Sequence, residues 1–150
     1  MIACLTGKDT ISINGRILND FGDMDTAHLT FPNDLMVVKT GKNGNAIYAF
    51  NAPGQQAEIV LRVLRGSSDD KFLNGILSQQ RADPSGFVLM TGTFVKNLGD
   101  GAGNIQSDTY IMSGGVFKKQ NEVKENVDGD TEQAISIYTM TFGNSPRTIG

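Results

Sequence analysis

The side chains able to do chemistry in this sequence are few, and their spacing leaves each without a partner. Ser68-Asp69-Asp70-Lys71 matches S-x-x-K, in which one helical turn sets an amine beside a hydroxyl nucleophile. The S-D-N element that accompanies such a nucleophile is absent, so these residues read as a helix start. Asp128-Gly129-Asp130-Thr131-Glu132 offers oxygens to Ca²⁺ but lacks the D-x-[DN]-x-[DN]-G spacing and the distant Glu of an EF-hand, and reads as a solvated turn. Gly99-Asp100-Gly101-Ala102-Gly103 lacks the Lys-Ser/Thr ending of a phosphate-binding loop. Thr40-Gly41-Lys42 with Gly44 is no Walker motif either, because Met36 stands where its first glycine should be. His28, the single histidine, would give zinc almost no companion donors, and the lone Cys4 has no base beside it in sequence. The expectation is a chain that is not an enzyme and holds no cofactor or metal.

The element that would carry Ser68 and Lys71 is also the clearest in the chain. In A-E-I-V-L-R-V-L-R the alternation puts Ala57, Ile59, Leu61 and Val63 on one face of a strand. Gly66-Ser67-Ser68 breaks the run, and either serine can accept from the free N–H groups of a helix whose positive end suits Asp69 and Asp70. Phe72, Leu73, Ile76 and Leu77 form one apolar stripe, with Lys71, Asn74, Ser78 and Gln79 facing outward. Arg81 suits the negative end, and residues 82–86, with Pro84 and Gly86, stop the helix. Residues 87–95 then read as a second apolar strand. So short a helix needs a sheet to cover, expected to consist largely of these two flanking strands.

Around this unit the chain is punctuated by turns. Residues 10–13 and 16–18 flank Asn14-Gly15, a pair suited to a type I′ hairpin turn. Residues 19–23 are turn material, and 27–31 form a strand ended by Pro32. Residues 35–40 and 46–50 are strand-like on either side of a flexible tip, giving an exposed hairpin over 35–50. An exposed glycine-rich loop is expected over 97–107, strands over 109–118 and 134–142, a polar loop over 120–133 and a tail over 143–150. Met90, Met112 and Met140 sit in predicted strands as core fillers.

The 150 residues, 39% of them apolar, suit one domain with a sizeable core, and eighteen glycines with four prolines favour a β-rich fold over an all-α one. A net charge of −3 with no basic cluster argues against a surface that grips nucleic acid. No apolar run is long enough to span a bilayer, so no membrane insertion by this chain is expected. The first eight residues lack the pattern of a Sec leader, so the chain is expected to be kept in a cytoplasm or to leave it by another route.

Three runs bear a resemblance to a known family. Thr40-Gly41-Lys42-Asn43-Gly44-Asn45-Ala46-Ile47-Tyr48-Ala49-Phe50, Ser107-Asp108-Thr109-Tyr110-Ile111-Met112-Ser113-Gly114-Gly115-Val116-Phe117 and residues 128–145, D-G-D-T-E-Q-A-I-S-I-Y-T-M-T-F-G-N-S, look like the tail-tube proteins of contractile-tailed bacteriophages. The likeness extends over most of the chain, including 57–95. It implies a mainly β fold, a β-sandwich or barrel with one helix packed on it, similar also to the tube protein of type VI secretion systems. It implies a virion structural protein, assembled in the host cytoplasm, whose six-membered rings stack into a tube that conducts DNA. The implied partners are further copies of the chain, the sheath, baseplate and tail terminator proteins, and double-stranded DNA passing non-specifically through the lumen.

Under that resemblance the 35–50 hairpin is the element expected to reach the next ring, through Lys42, Asn43, Asn45, Ile47, Tyr48 and Phe50. The alternatives are the tube of a type VI secretion or bacteriocin-like machine, or a monomeric β-sandwich binding module. A carbohydrate-binding module would be expected to show exposed Trp, and this chain has none.

Overall fold

The structure, a computed structural model, describes residues 3–22 and 25–150. Asp23, the end of the turn expected over 19–23, lies outside the described residues, as do the first two residues of the segment read for a leader. Among the described residues eleven strands and one α-helix follow in order: β1 (Cys4–Leu5), β2 (Thr10–Ile13), β3 (Arg16–Ile17), β4 (Ala27–Thr30), β5 (Met36–Thr40), β6 (Ala46–Phe50), β7 (Ala57–Leu64), α1 (Ser68–Ala82), β8 (Met90–Gly99), β9 (Ile105–Phe117), β10 (Ile135–Asn144) and β11 (Arg147–Ile149). The fold is mainly β with a single helix, as the sequence indicates.

Nine strands form one antiparallel sheet in the order β3-β2-β8-β9-β10-β7-β4, with β1 beside β8 and β11 beside β9. The main chain after β3 rolls this sheet up. Leu18 N–H donates to the Ile11 carbonyl at 2.9 Å, while the Leu64 N–H donates to Asp20 at 2.8 Å and the Gly22 N–H to Arg62 at 3.2 Å. One short segment thus bonds both β2 and β7, which lie near opposite ends of the strand order, so the sheet curls around its core.

Alternation fills that core. Ala57, Ile59, Leu61 and Val63 of β7 are fully buried, and β10 sets Phe142, Met140, Tyr138 and Ser136 opposite them in register. Ile13, Met90 and Met112 complete the floor, and the helix lays Leu73, Ile76 and Leu77 on top, with Phe72 half-buried at the margin. Gly115 admits the Phe142 ring: a Cβ there would stand 2.3 Å from a ring carbon. Burial, reinforced by the Asp70 carboxylate that accepts its hydrogen bond at 2.5 Å, raises the Tyr138 phenol pKa far above its usual range.

The helix starts as its sequence dictates, with the Ser67 side chain accepting from the Asp70 N–H, but its supports differ from expectation. It is held on β7, β9 and β10 rather than chiefly on its two flanking strands. The Gln80 amide clasps both backbone groups of Phe117, accepting at 2.8 Å and donating at 3.0 Å. Buried Asp69 accepts from the Asn19 and Asp20 N–H groups, at 2.6 and 2.8 Å, and from Arg16 Nε at 3.2 Å. The crossover explains this, because β8 lies three places from β7 with β9 and β10 between them.

Pairing also moves three boundaries. Residues 87–89 are apolar but lie outside the ladder, and β8 starts at Met90 with a register shift before Gly92. The loop expected over 97–107 shrinks to 100–104, because β8 and β9 stay paired up to Gly99 and Ile105. The expected tail contains β11, which extends the line of β10 along β9 and is gripped by Arg147 on Asp108 at 2.7 Å through each of two nitrogens. The 120–133 loop remains a loop, stitched to β10 by paired hydrogen bonds between Glu122 and Ile137 at 2.9 and 3.0 Å and closed by a short 3₁₀ turn, Thr131–Ala134.

Candidate assembly interface

Strands β5 and β6 stand apart from the main sheet as a two-stranded ribbon of their own. Its root is fixed. The Asn51 N–H donates to Leu35 at 2.8 Å and its side chain to the Asp34 carbonyl at 2.7 Å, while Asn33 reaches the Pro53 carbonyl at 3.2 Å. Gly54 lies against that turn so closely that a Cβ would come within 2.5 Å of the Asp34 oxygen and of Leu35 Cα. The tip is closed by the Gly41 N–H on the Asn45 carbonyl at 2.6 Å and by Gly44 at φ 83°, a left-handed angle that favours glycine.

Between root and tip the ribbon touches almost nothing. Every residue from 31 to 50 is exposed. The register Met36↔Phe50, Val38↔Tyr48 and Thr40↔Ala46 puts Met36, Val38, Tyr48 and Phe50 on one face. The pairs Val37↔Ala49 and Lys39↔Ile47 define the other. Ile47 is 70% exposed, Tyr48 68% and Phe50 58%, so both faces present large apolar side chains to water. A lone two-stranded ribbon is at best marginally stable, and contiguous exposed apolar surface marks an interaction site.

All six residues singled out from the sequence are therefore exposed on one element, but they do not form one surface. Ile47 faces away from Tyr48 and Phe50, and Lys42, Asn43 and Asn45 belong to the tip. Sequence reasoning missed Met36, Val37 and Val38, which complete the two faces. The signal was the uninterrupted apolar run M-V-V, since a strand buried on one face alternates and a strand covered on both does not.

The sites considered for chemistry lie apart from each other. Ser68 and Lys71 are exposed on the first turn of α1. The K-T-G that accompanies S-x-x-K together with S-D-N does occur, as Lys39-Thr40-Gly41, but at the end of β5 on the exposed ribbon. His28 is exposed on β4, and Cys4 is exposed in β1 opposite Gly99. Among the described residues no group of three or more His, Cys, Asp or Glu could hold a metal ion. The glycine-rich turn is filled by its own anion: the Asp100 carboxylate accepts from the Asn104 side chain at 2.9 Å and from the Ala102 and Asn104 N–H groups at 2.8 and 3.1 Å, which lowers its pKa. Those donors are not offered to a phosphate. Asp130 caps the 3₁₀ turn through the Glu132 N–H at 3.1 Å. Among the described residues no helix is long and apolar enough to cross a membrane.

No family model matches the chain, and no curated protein matches it.

Proposed function

We propose that this chain is a structural subunit of a tail tube of the contractile-phage type, whose copies close into six-membered rings that stack into a hollow conduit for DNA. The observation that carries this reading is the β5–β6 ribbon, a rooted hairpin with apolar side chains on both faces and no cover on either. A monomeric module would leave both faces in water, whereas a repeated assembly covers them with neighbouring copies. The sequence resemblance supplies the kind of assembly, and the net charge of −3 suits a wall along which a phosphate backbone slides without being held. The work of such a subunit is geometric, so scattered reactive side chains are no obstacle. The sheath, baseplate and terminator proteins would be its further partners.

Sedimentation velocity over a wide concentration range tests the proposal. It expects subunits to give way to rings and long fast-sedimenting particles. A single monomer-sized boundary at all concentrations would sink it.

A further inference from the structure

The ribbon carries a charge as well as apolar surface, and the chain contains a groove of opposite character. Lys39 and Lys42 are the only charged residues between 35 and 50, and among the described residues neither makes an ion pair. The 120–133 loop holds five carboxylates, Glu122, Glu125, Asp128, Asp130 and Glu132, against the single Lys124. Three of them have cations: Glu125 has Arg65 at 2.8 Å, Glu132 has Arg62 at 3.0 Å and Asp130 has Lys124 at 3.8 Å. Glu122 and Asp128 have none among the described residues and are exposed. Between this loop and β10 runs a groove of about 450 Å³ lined by Glu122, Val123, Lys124, Glu132, Ile135 and Ile137. Val123, Ile135 and Ile137 give it aliphatic walls, Glu122 and Glu132 line it beside Lys124, and Asp128 stands outside the lining on the same loop.

Building on the tube reading, we propose that this groove receives the β5–β6 ribbon of a second copy. The face that enters is the one bearing Val37, Ile47 and Lys39, because it alone joins apolar side chains to a cation, whereas the Met36, Val38, Tyr48 and Phe50 face carries no charge. Ile47 and Val37 lie against Val123 and Ile137, and Lys39 and Lys42 meet Glu122 and Asp128. Two unpaired lysines then face two unpaired carboxylates, so charge fixes the register while the apolar contact excludes water. The contact is heterologous: the surface on one copy is the ribbon and on the next the groove, so it propagates from subunit to subunit.

Charge reversal and rescue in the full chain test this docking, read by pelleting and electron microscopy. Lys39→Glu with Lys42→Glu, or Glu122→Lys with Asp128→Lys, should raise the concentration needed for assembly by about tenfold or more. Combining the four changes should return it to within about threefold of the parent. Thermal unfolding of each variant verifies folding. As a second measurement independent of charge, Lys42→Cys with Asp128→Cys in a Cys4→Ser background should form intermolecular disulfides on mild oxidation. Rescue or crosslinking supports the docking. Absence of both, with parent tubes intact, overturns the groove as the partner and leaves the tube reading standing. A parent chain that never assembles overturns both.

Discussion

Replacing Ile47 and Tyr48 with Ser separates a ribbon made for a partner from one made for its own core. About two thirds of each side chain is already open to water in the subunit. Burying such a side chain completely is worth about 1.5–3 kcal/mol, so the exposed share of each is worth about 1–2 kcal/mol at a contact. The pair together contributes about 3 kcal/mol over the two faces of the ribbon, which is more than a hundredfold in the equilibrium constant for covering both, before the cost of ordering side chains is subtracted. Folding loses less. Only the local cross-strand pairs with Lys39 and Val38 are weakened, each worth about 0.2–1 kcal/mol, so the unfolding midpoint should fall by no more than about 8 °C. Pelleting measures assembly and a thermal melt of the same preparation measures folding. A midpoint lowered by well over about 10 °C with tubes still forming would refute the reasoning, as would unchanged assembly.

Other consequences concern the scaffold that presents the ribbon. Asp69→Ala leaves two backbone N–H groups and Arg16 without their acceptor at the start of α1, and should cost about 2–4 kcal/mol, read as a melting midpoint lower by about 10 °C. Gly115→Ala drives a methyl into the Phe142 ring and should cost about 1–3 kcal/mol, whereas Gly75→Ala, mid-helix with nothing within 4 Å, should stabilise by about 0.5–1 kcal/mol in denaturant titrations. Arg147 holds the Asp108 carboxyl below its ordinary value of 3.8, chiefly by hydrogen bonding. Because the folded value is the lower one, the contribution is complete above the ordinary value and is lost as pH falls through the folded one. NMR shifts of Thr148 and Ile149 should therefore report release of β11 in acid, and Arg147→Gln should abolish that transition.

Local pattern carried the elements, and long-range pairing decided their ends. The alternation of β7, the Ser67 cap and the Asn14-Gly15 turn are all written within a few residues, and each is where the sequence puts it. The start of β8 at Met90 is set by its pairing with Gly115, and β11 is held by its ladder along β9 and by the grip of Asp108, 39 residues away, on Arg147. No window of sequence contains those partners. The same limit applies to the ribbon: its exposure and apolar anchors were legible, but the division of Ile47 from Tyr48 and Phe50 required the register. The groove between the 120–133 loop and β10 was illegible for the same reason, since its acids and its isoleucines meet only through the Glu122–Ile137 pairing.

Electron microscopy of the purified parent chain at high concentration addresses the central claim most directly. The account predicts hollow tubes with six-fold end views, built from stacked rings and lost when Ile47 and Tyr48 are replaced by Ser. Dispersed single subunits, with no rings and no tubes in any field, would contradict it.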